Sequence, residues 1–301
     1  MEIIYIITYK CNLRCTYCPI KKNNSSISNG VIKDSFKLLD NKINKVRFFG
    51  GEPLLEYEKL KYLVAKIRQA PPEIKFFLTT NGILLDKKKI NWIKKNKIKL
   101  TISLDGNEFT QLKNRKGLNS YKKISGLLKN LPKETIFNLV IAPNTAKYFY
   151  YNFRYLIEQI GVNRFNILPA YYNNWSAVEF KILEKEFLLV LNYIESNSLK
   201  DKIFLKNLEN FSDLTFFNQA LVIDCDGQIY NTNAFLFDRL AVVKKYFKIG
   251  DLEKINTIKE LEDKKTDRFG INKFIPNRDI QINNKLDKIL NNFIYKYKGI
   301  I

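Results

Sequence analysis

Two hydrophobic periods alternate over the first two-thirds of this chain, and that alternation restricts its fold more than any other feature. Short apolar runs fit strands at Ile3–Thr8, Lys45–Phe49, Lys75–Thr79, Lys99–Ser103, Thr135–Ile141 and Arg164–Leu168. Helical spacing fills the gaps, over Val31–Leu39, Leu60–Ile67, Ile90–Ile93, Ile124–Leu128 and Phe153–Ile160. Six strands alternating with helices predict an α/β fold on a parallel sheet with right-handed crossovers. An open doubly wound sheet and a partial barrel both satisfy the pattern. Both collect their chemistry at the C-terminal ends of the strands.

The pattern changes after Leu168. Val178–Ile194 reads as a long helix, and Leu221–Tyr230 as a hairpin that turns at Asp226-Gly227. Gly250-Asp251 signals a further loop, and Ile282–Tyr297 a final helix. No repeat or low-complexity linker interrupts the chain. A soft boundary near residue 200 therefore divides a core, 1–200, from a C-terminal region, 201–301. With 301 residues, 46% of them hydrophobic, the core can be sizeable.

Composition removes several function classes. There is no histidine, so His triads, His zinc sites and His general bases are excluded. The formal charge of +21 raises the question of nucleic acid. The lysines are scattered over predicted helix faces, as at Lys87, Lys88, Lys89, Lys94 and Lys95, and read as solvated surface. A nucleic-acid partner is not favoured. No apolar run reaches membrane-span length, and Met1 to Thr8 lacks the basic and cleavage regions of a signal peptide. The expectation is a cytoplasmic protein with no membrane partner.

Three of the four cysteines, Cys11, Cys15 and Cys18, crowd into a loop directly after the first strand. Such crowding in a chain without a secretory signal reads as metal binding. Zinc and inert buried thiols are the alternatives. Zinc would need a fourth Cys or His nearby, and Cys225 is far off in sequence. Three thiolates on a cubane Fe–S cluster leave one iron with an open site, which is what a metal needs to activate a small molecule.

Cys11-Asn-Leu-Arg-Cys15-Thr-Tyr17-Cys18, placed after a first strand, resembles the signature of the radical S-adenosylmethionine (SAM) superfamily. The resemblance implies a partial (β/α)6 TIM-like barrel. It also implies one [4Fe–4S] cluster on those cysteines and SAM chelating the open iron, with Tyr17 as the aromatic residue before the third cysteine. Three further strand ends carry similar motifs. Gly50-Gly51-Glu52-Pro53 resembles the motif that binds the SAM amino group. Thr80-Asn81-Gly82 resembles a segment lining the site, through Asn81. Ser103-Leu104-Asp105-Gly106, with Arg115 downstream, resembles the anaerobic sulfatase-maturating and peptide-maturating branch. There the serine contacts SAM and the arginine binds its carboxylate. Gln111-Leu112 stands where that branch often has His-Asp. Phe165, near the sixth strand end, is the expected adenine contact.

Val222 to Asn233 and Ile249 to Leu252 resemble the scaffold of a SPASM or twitch domain. Thr232 replaces its cysteine and Asn233 its catalytic Asp. The expectation is a hairpin kept as a lid over the barrel mouth, without auxiliary clusters. Tyr230, Asn233, Asp224, Asp226 and Tyr172 are left as acid–base candidates, none preferred, and Cys225 is read as a small apolar residue. The resemblance implies a peptide or protein substrate. The chain begins on its first strand, with no room for a leader-binding domain, so a small metabolite is the alternative. RNA modification and a cluster-binding relic are further readings. An electron donor such as a flavodoxin or ferredoxin is implied.

Overall fold

The computed structural model describes residues 1–69, 73–209, 220–262 and 275–299. The six expected strands are present as β1 (Glu2–Thr8), β3 (Lys45–Gly50), β4 (Lys75–Thr80), β5 (Lys99–Ser103), β7 (Ile136–Ile141) and β8 (Arg164–Pro169). They pair in parallel in that order, with β9 (Phe204–Leu205) beside β8. Two short strands missing from the sequence reading, β2 (Leu13–Cys15) and β6 (Arg115–Gly117), form an antiparallel ribbon of their own.

The helices α1 (Asn29–Ser35), α2 (Tyr57–Ile67), α3 (Lys87–Lys95), α4 (Glu108–Asn114), α5 (Ser120–Ser125), α6 (Phe149–Glu158) and α7 (Ala177–Ser196) follow successive strands. The expected helix Val31–Leu39 is shorter, because a 3-10 turn takes over at Phe36–Leu38. Caps set several starts. Asp86 accepts from Lys89 N before α3. Ser176 and Glu179 form a reciprocal capping box before α7. The helices bury one face of the sheet. Val46, Phe48, Phe76, Leu78, Leu100, Ile102, Phe137, Leu139, Phe165 and Ile167 join Leu60, Leu63, Ile90 and Phe153 in one core cluster. Alternate residues face the concave side. There Arg47 bonds Glu2 at 2.6 Å and Asn166 Nδ2 donates to Asn138 Oδ1 at 2.9 Å.

The hairpin exists, but it extends the sheet rather than forming a lid. β10 (Leu221–Ile223) pairs in parallel with the free side of β1, and β11 (Gln228–Tyr230) turns back on it. Gly250-Asp251, expected as a loop, ends a further strand, β12 (Lys248–Asp251), paired to β11. The reason is long-range pairing, which local turn signals do not reveal. The C-terminal helix, Asn277–Gly299, lies against α7, with the Phe293 and Phe187 rings tilted against each other at 4.7 Å between centroids. No helix among the described residues is long and apolar enough to cross a membrane.

Candidate active site

The cysteine loop hangs from the C-terminal end of β1 and is tied at its base. Thr8 Oγ1 donates to Ser25 O at 2.9 Å, and Tyr9 N donates to the same carbonyl. Two glycines at the end of β3 press against the loop from the other side. Gly51 N donates to Thr8 O at 2.7 Å and Glu52 N to Lys10 O at 2.8 Å. A Cβ on Gly51 would stand 2.1 Å from Lys10 O, and one on Gly50, whose φ is +132°, 2.3 Å from Thr8 O. The glycine pair is therefore needed first for contact between the strand end and the cysteine loop.

Within the loop, Cys18 N donates to Cys15 O at 3.2 Å, and Lys22 Nζ donates to Leu13 O. Cys11, Cys15 and Cys18 are all half-buried free thiols. Burial pushes the Cys15 thiol up to about 11, against the nearby Arg115 charge, and raises Cys11 as well. Iron binding must displace such protons, so metal loading is coupled to pH.

Asp105 organises the neighbouring strand end. It is 1% exposed. Its Oδ2 accepts from Tyr17 OH at 2.8 Å, Arg115 Nε at 3.1 Å and Asn114 Nδ2 at 3.2 Å. Its Oδ1 accepts from Arg115 Nη2 at 2.9 Å and Val140 N at 3.1 Å. Burial disfavours the Arg115 charge, and Asp105, Tyr17 and Cys15 beside it together more than restore it. Arg115 also lies 5.3 Å over the Tyr17 ring, with Nη1 3.9 Å from Cys15 Sγ. Gln111, in the place of the branch's His, uses its amide fully. Its Oε1 accepts from Asp105 N at 2.7 Å, and its Nε2 donates to Ser103 O at 3.2 Å and Ser120 Oγ at 2.8 Å.

Glu52 joins the ends of β3 and β4. Its Oε1 accepts from Thr80 Oγ1 at 2.7 Å and Leu54 N at 3.1 Å, and its Oε2 from Asn81 N at 2.7 Å. Burial nonetheless pushes its carboxyl from 4.5 to about 7, because these donors only partly offset the lost hydration. Asn81 Nδ2 donates to Asn12 Oδ1 at 2.7 Å and lies 3.9 Å from Cys11 Sγ.

Asn81 and Arg115 reach to 3.9 Å from Cys11 and Cys15, Gly50, Gly51 and Glu52 pack on the base of the loop, and Tyr17 lies within it. Ser103, at the end of β5, is tied to this network only through its carbonyl, by Gln111. Phe165 lies outside it. Its side chain lies on the helix side of β8, fully buried, with its ring 4.8 Å from that of Phe153. The strand's two-residue period carries Asn166, not Phe165, to the concave face. Asp105, Gln111 and Asn114 were missed as site residues. Asp105 stood within the Ser103–Gly106 motif without a role of its own, Gln111 stood out only as a departure from that branch, and nothing local marks Asn114.

Near the hairpin turn, Tyr9 OH donates to Asp224 Oδ2 at 3.1 Å and Lys244 Nζ approaches the same oxygen at 3.3 Å. A cavity of about 500 Å³ opens there, lined by Tyr9, Lys21, Asp224, Cys225 and Lys244 among others. Cys225 is buried and donates to Ile6 O at 3.2 Å, and burial pushes its thiol up to about 12. Thr232 caps the following turn by accepting from Ala234 N at 3.2 Å.

The donor set fits a cubane. Three half-buried free thiols lie in one loop, and their chemistry gives one thiolate to each of three irons. Asn12 Nδ2, beside Cys11, is buried without a hydrogen-bond partner, so a polar group is owed one there.

A model of the radical SAM superfamily matches residues 5–146. The chain is 25% identical over 295 residues to the cysteine-type anaerobic sulfatase-maturating enzyme of Clostridium perfringens, covering 83% of this chain and 76% of that one. It is 38% identical over 227 residues to the GTP 3',8-cyclase of Clostridium acetobutylicum, covering 72% and 63%. Among solved structures, native anSMEcpe with bound AdoMet and Cp18Cys peptide matches with a TM-score of 0.71 at 19% identity, over 87% of this chain and 80% of that one. That last likeness shows the fold alone. The match over residues 5–146, with the cysteine loop and the sheet that carries it, makes this chain a radical SAM enzyme, whose cofactors are a [4Fe–4S] cluster and S-adenosylmethionine.

Proposed function

We propose that the enzyme carries a single cluster, held by Cys11, Cys15 and Cys18, and modifies a side chain of a peptide or protein. The observation that carries the site is the convergence of the cysteine loop with the Asp105–Arg115–Tyr17 network at the strand ends. A single cluster is supported by the cysteine inventory: Cys225 alone is left, and its thiol is committed to Ile6 O. A cluster held by these cysteines would supply the single electron that SAM needs to become a hydrogen-abstracting agent.

The protein's own work is to hold and orient. The Gly50 and Gly51 backbone and Glu52 take the SAM amino end. Ser103 and the Nη1 edge of Arg115, left over from the Asp105 pair, take its carboxylate end. Asn81 and Tyr17 line the space between. Residues 201–301 are read as a reduced C-terminal unit, of which the described strands β10, β11 and β12 extend the sheet. A one-electron donor protein completes the system, and RNA is not favoured as a substrate.

A peptide substrate is supported by the likeness to the sulfatase-maturating enzyme and to the structure with bound AdoMet and Cp18Cys peptide. The 38% identity to a GTP 3',8-cyclase favours a second reading, a small metabolite. Reconstituted enzyme is to be incubated anaerobically with SAM, reductant and peptides encoded near its gene. A peptide mass change with 5′-deoxyadenosine supports the first reading. 5′-Deoxyadenosine formed only with a small-molecule substrate supports the second. No SAM cleavage under any condition leaves a cluster-binding relic.

A further inference from the structure

Arg14 and Lys116 stand directly opposite each other across the β2–β6 ribbon. Both are exposed, and neither makes an ion pair among the described residues. Like charges facing each other across an antiparallel pair destabilise it. The next pair in register, Cys15 and Arg115, turns to the other face, where Arg115 Nη1 reaches to 3.9 Å from Cys15 Sγ. The ribbon therefore has a ligand-bearing inner face and a cationic outer face.

The surroundings add to the charge. Residues 9–28 contain Lys10, Arg14, Lys21 and Lys22 and no carboxylate. Residues 113–123 contain Lys113, Arg115, Lys116, Lys122 and Lys123, again with no carboxylate. Arg115 is buried on Asp105, Lys10 pairs with Glu56 and Lys122 approaches Glu108, so Arg14 and Lys116, with Lys21, Lys22, Lys113 and Lys123 around them, carry the excess charge. Lys22 is held to the ribbon through Leu13 O. Leu118, one residue beyond β6, is 56% exposed and supplies an apolar contact.

We propose that this outer face, Arg14 and Lys116 with Leu118 beside them, is the docking surface for an acidic one-electron carrier protein. The proposal rests on the radical reading above. An acidic partner relieves the like-charge pairing of Arg14 and Lys116. Seated there, it is separated from a metal on Cys15 by the thickness of one strand. One electron leaves the carrier and enters the metal centre; no bond forms or breaks, and the carrier departs in its one-electron-oxidised form. The concave side of the sheet stays free for substrate. A nucleic acid would use the charge but gains nothing from the adjacency to Cys15. Tyr17, the aromatic ring of this loop, bonds inward to Asp105 and offers no stacking platform.

The test uses the full-length, cluster-reconstituted enzyme with a bacterial flavodoxin as probe. Arg14→Glu/Lys116→Glu is compared with the wild type in three measurements. These are affinity for oxidised flavodoxin, the rate of cluster reduction by flavodoxin hydroquinone across a salt series, and SAM cleavage driven by dithionite. Affinity and flavodoxin-driven rate should fall roughly tenfold or more and lose their salt dependence, since steering acts on encounter. Iron content and dithionite-driven cleavage should match the wild type. Lys116→Glu alone, outside the cysteine loop, decides the matter if the double variant loads iron poorly. Unchanged flavodoxin binding and rate overturn the proposal. Loss of bulk tRNA binding with flavodoxin-driven reduction intact also overturns it and marks a nucleic-acid surface. If the wild type fails to cleave SAM even with dithionite, the radical reading fails instead, while flavodoxin binding still reads the surface separately.

Discussion

Arg115 meets Asp105 with two parallel hydrogen bonds, Nε to Oδ2 at 3.1 Å and Nη2 to Oδ1 at 2.9 Å, and both side chains are buried. Removing one partner of such a pair leaves an uncompensated buried charge. Asp105→Asn should lower the stability of the metal-free protein by about 3–5 kcal/mol. Chemical denaturation measures it. A loss below about 1 kcal/mol would mean that Arg115 finds another acceptor.

Gly51 has no room for a methyl group, because its Cβ would stand 2.1 Å from Lys10 O. Gly51→Ala should force the strand end and cysteine loop apart, costing about 2–3 kcal/mol, within the range of backbone strain. Reconstituted iron per chain should fall with it. Normal iron content and melting temperature in this variant would contradict the close packing described.

The carboxyl of Glu52 is raised from 4.5 to about 7, burial being the larger cause. Near neutral pH part of the population is therefore protonated. If an ammonium group settles beside it, the ionised form is favoured and a proton is released. SAM affinity should then rise with pH up to about 7, by at most about tenfold per unit. Calorimetry at pH 6.5 in buffers of different ionisation enthalpy should show net proton release. Heats independent of buffer would remove Glu52 from the SAM amino site. The same shift bears on the unliganded fold. The neutral form is favoured there, so the contribution of Glu52 is greatest below 4.5 and is lost as pH rises to about 7.

Alanine at Cys11, Cys15 or Cys18 should abolish the brown colour and the iron, whereas Cys225→Ala should keep about four irons per chain. Its expected defect is the lost contact to Ile6 O, about 1 kcal/mol of stability. Iron falling only in Cys225→Ala would overturn the assignment of ligands.

The main sheet and the three ligands were legible because each rests on a local signal. β1, β3, β4, β5, β7 and β8 announce themselves by short apolar runs, and Cys11, Cys15 and Cys18 by their crowding after β1. What stayed hidden depends on long-range geometry. Phe165 was expected at the site only because the resemblance puts an adenine contact at that strand end; both faces of such a strand are covered, and a period of two does not say which face meets the helices. Gln111 and Asn114 acquire meaning only once α4 brings them back to Asp105. The β2–β6 ribbon joins Leu-Arg-Cys to Arg-Lys-Gly, triplets with no strand pattern, across some hundred residues of chain. The hairpin looked like a lid because its turn is local, while its pairing with β1 is not.

That pairing has a consequence for the protein before iron arrives. β1, the longest strand and the one carrying the ligand loop, is hydrogen-bonded on both sides, to β3 and to β10. Among the described residues the sheet ends instead at β12, with four residues, and β9, with two. Short borders make poor templates for another chain. Newly made apoprotein can therefore wait for its iron without offering its most adhesive strand to its neighbours.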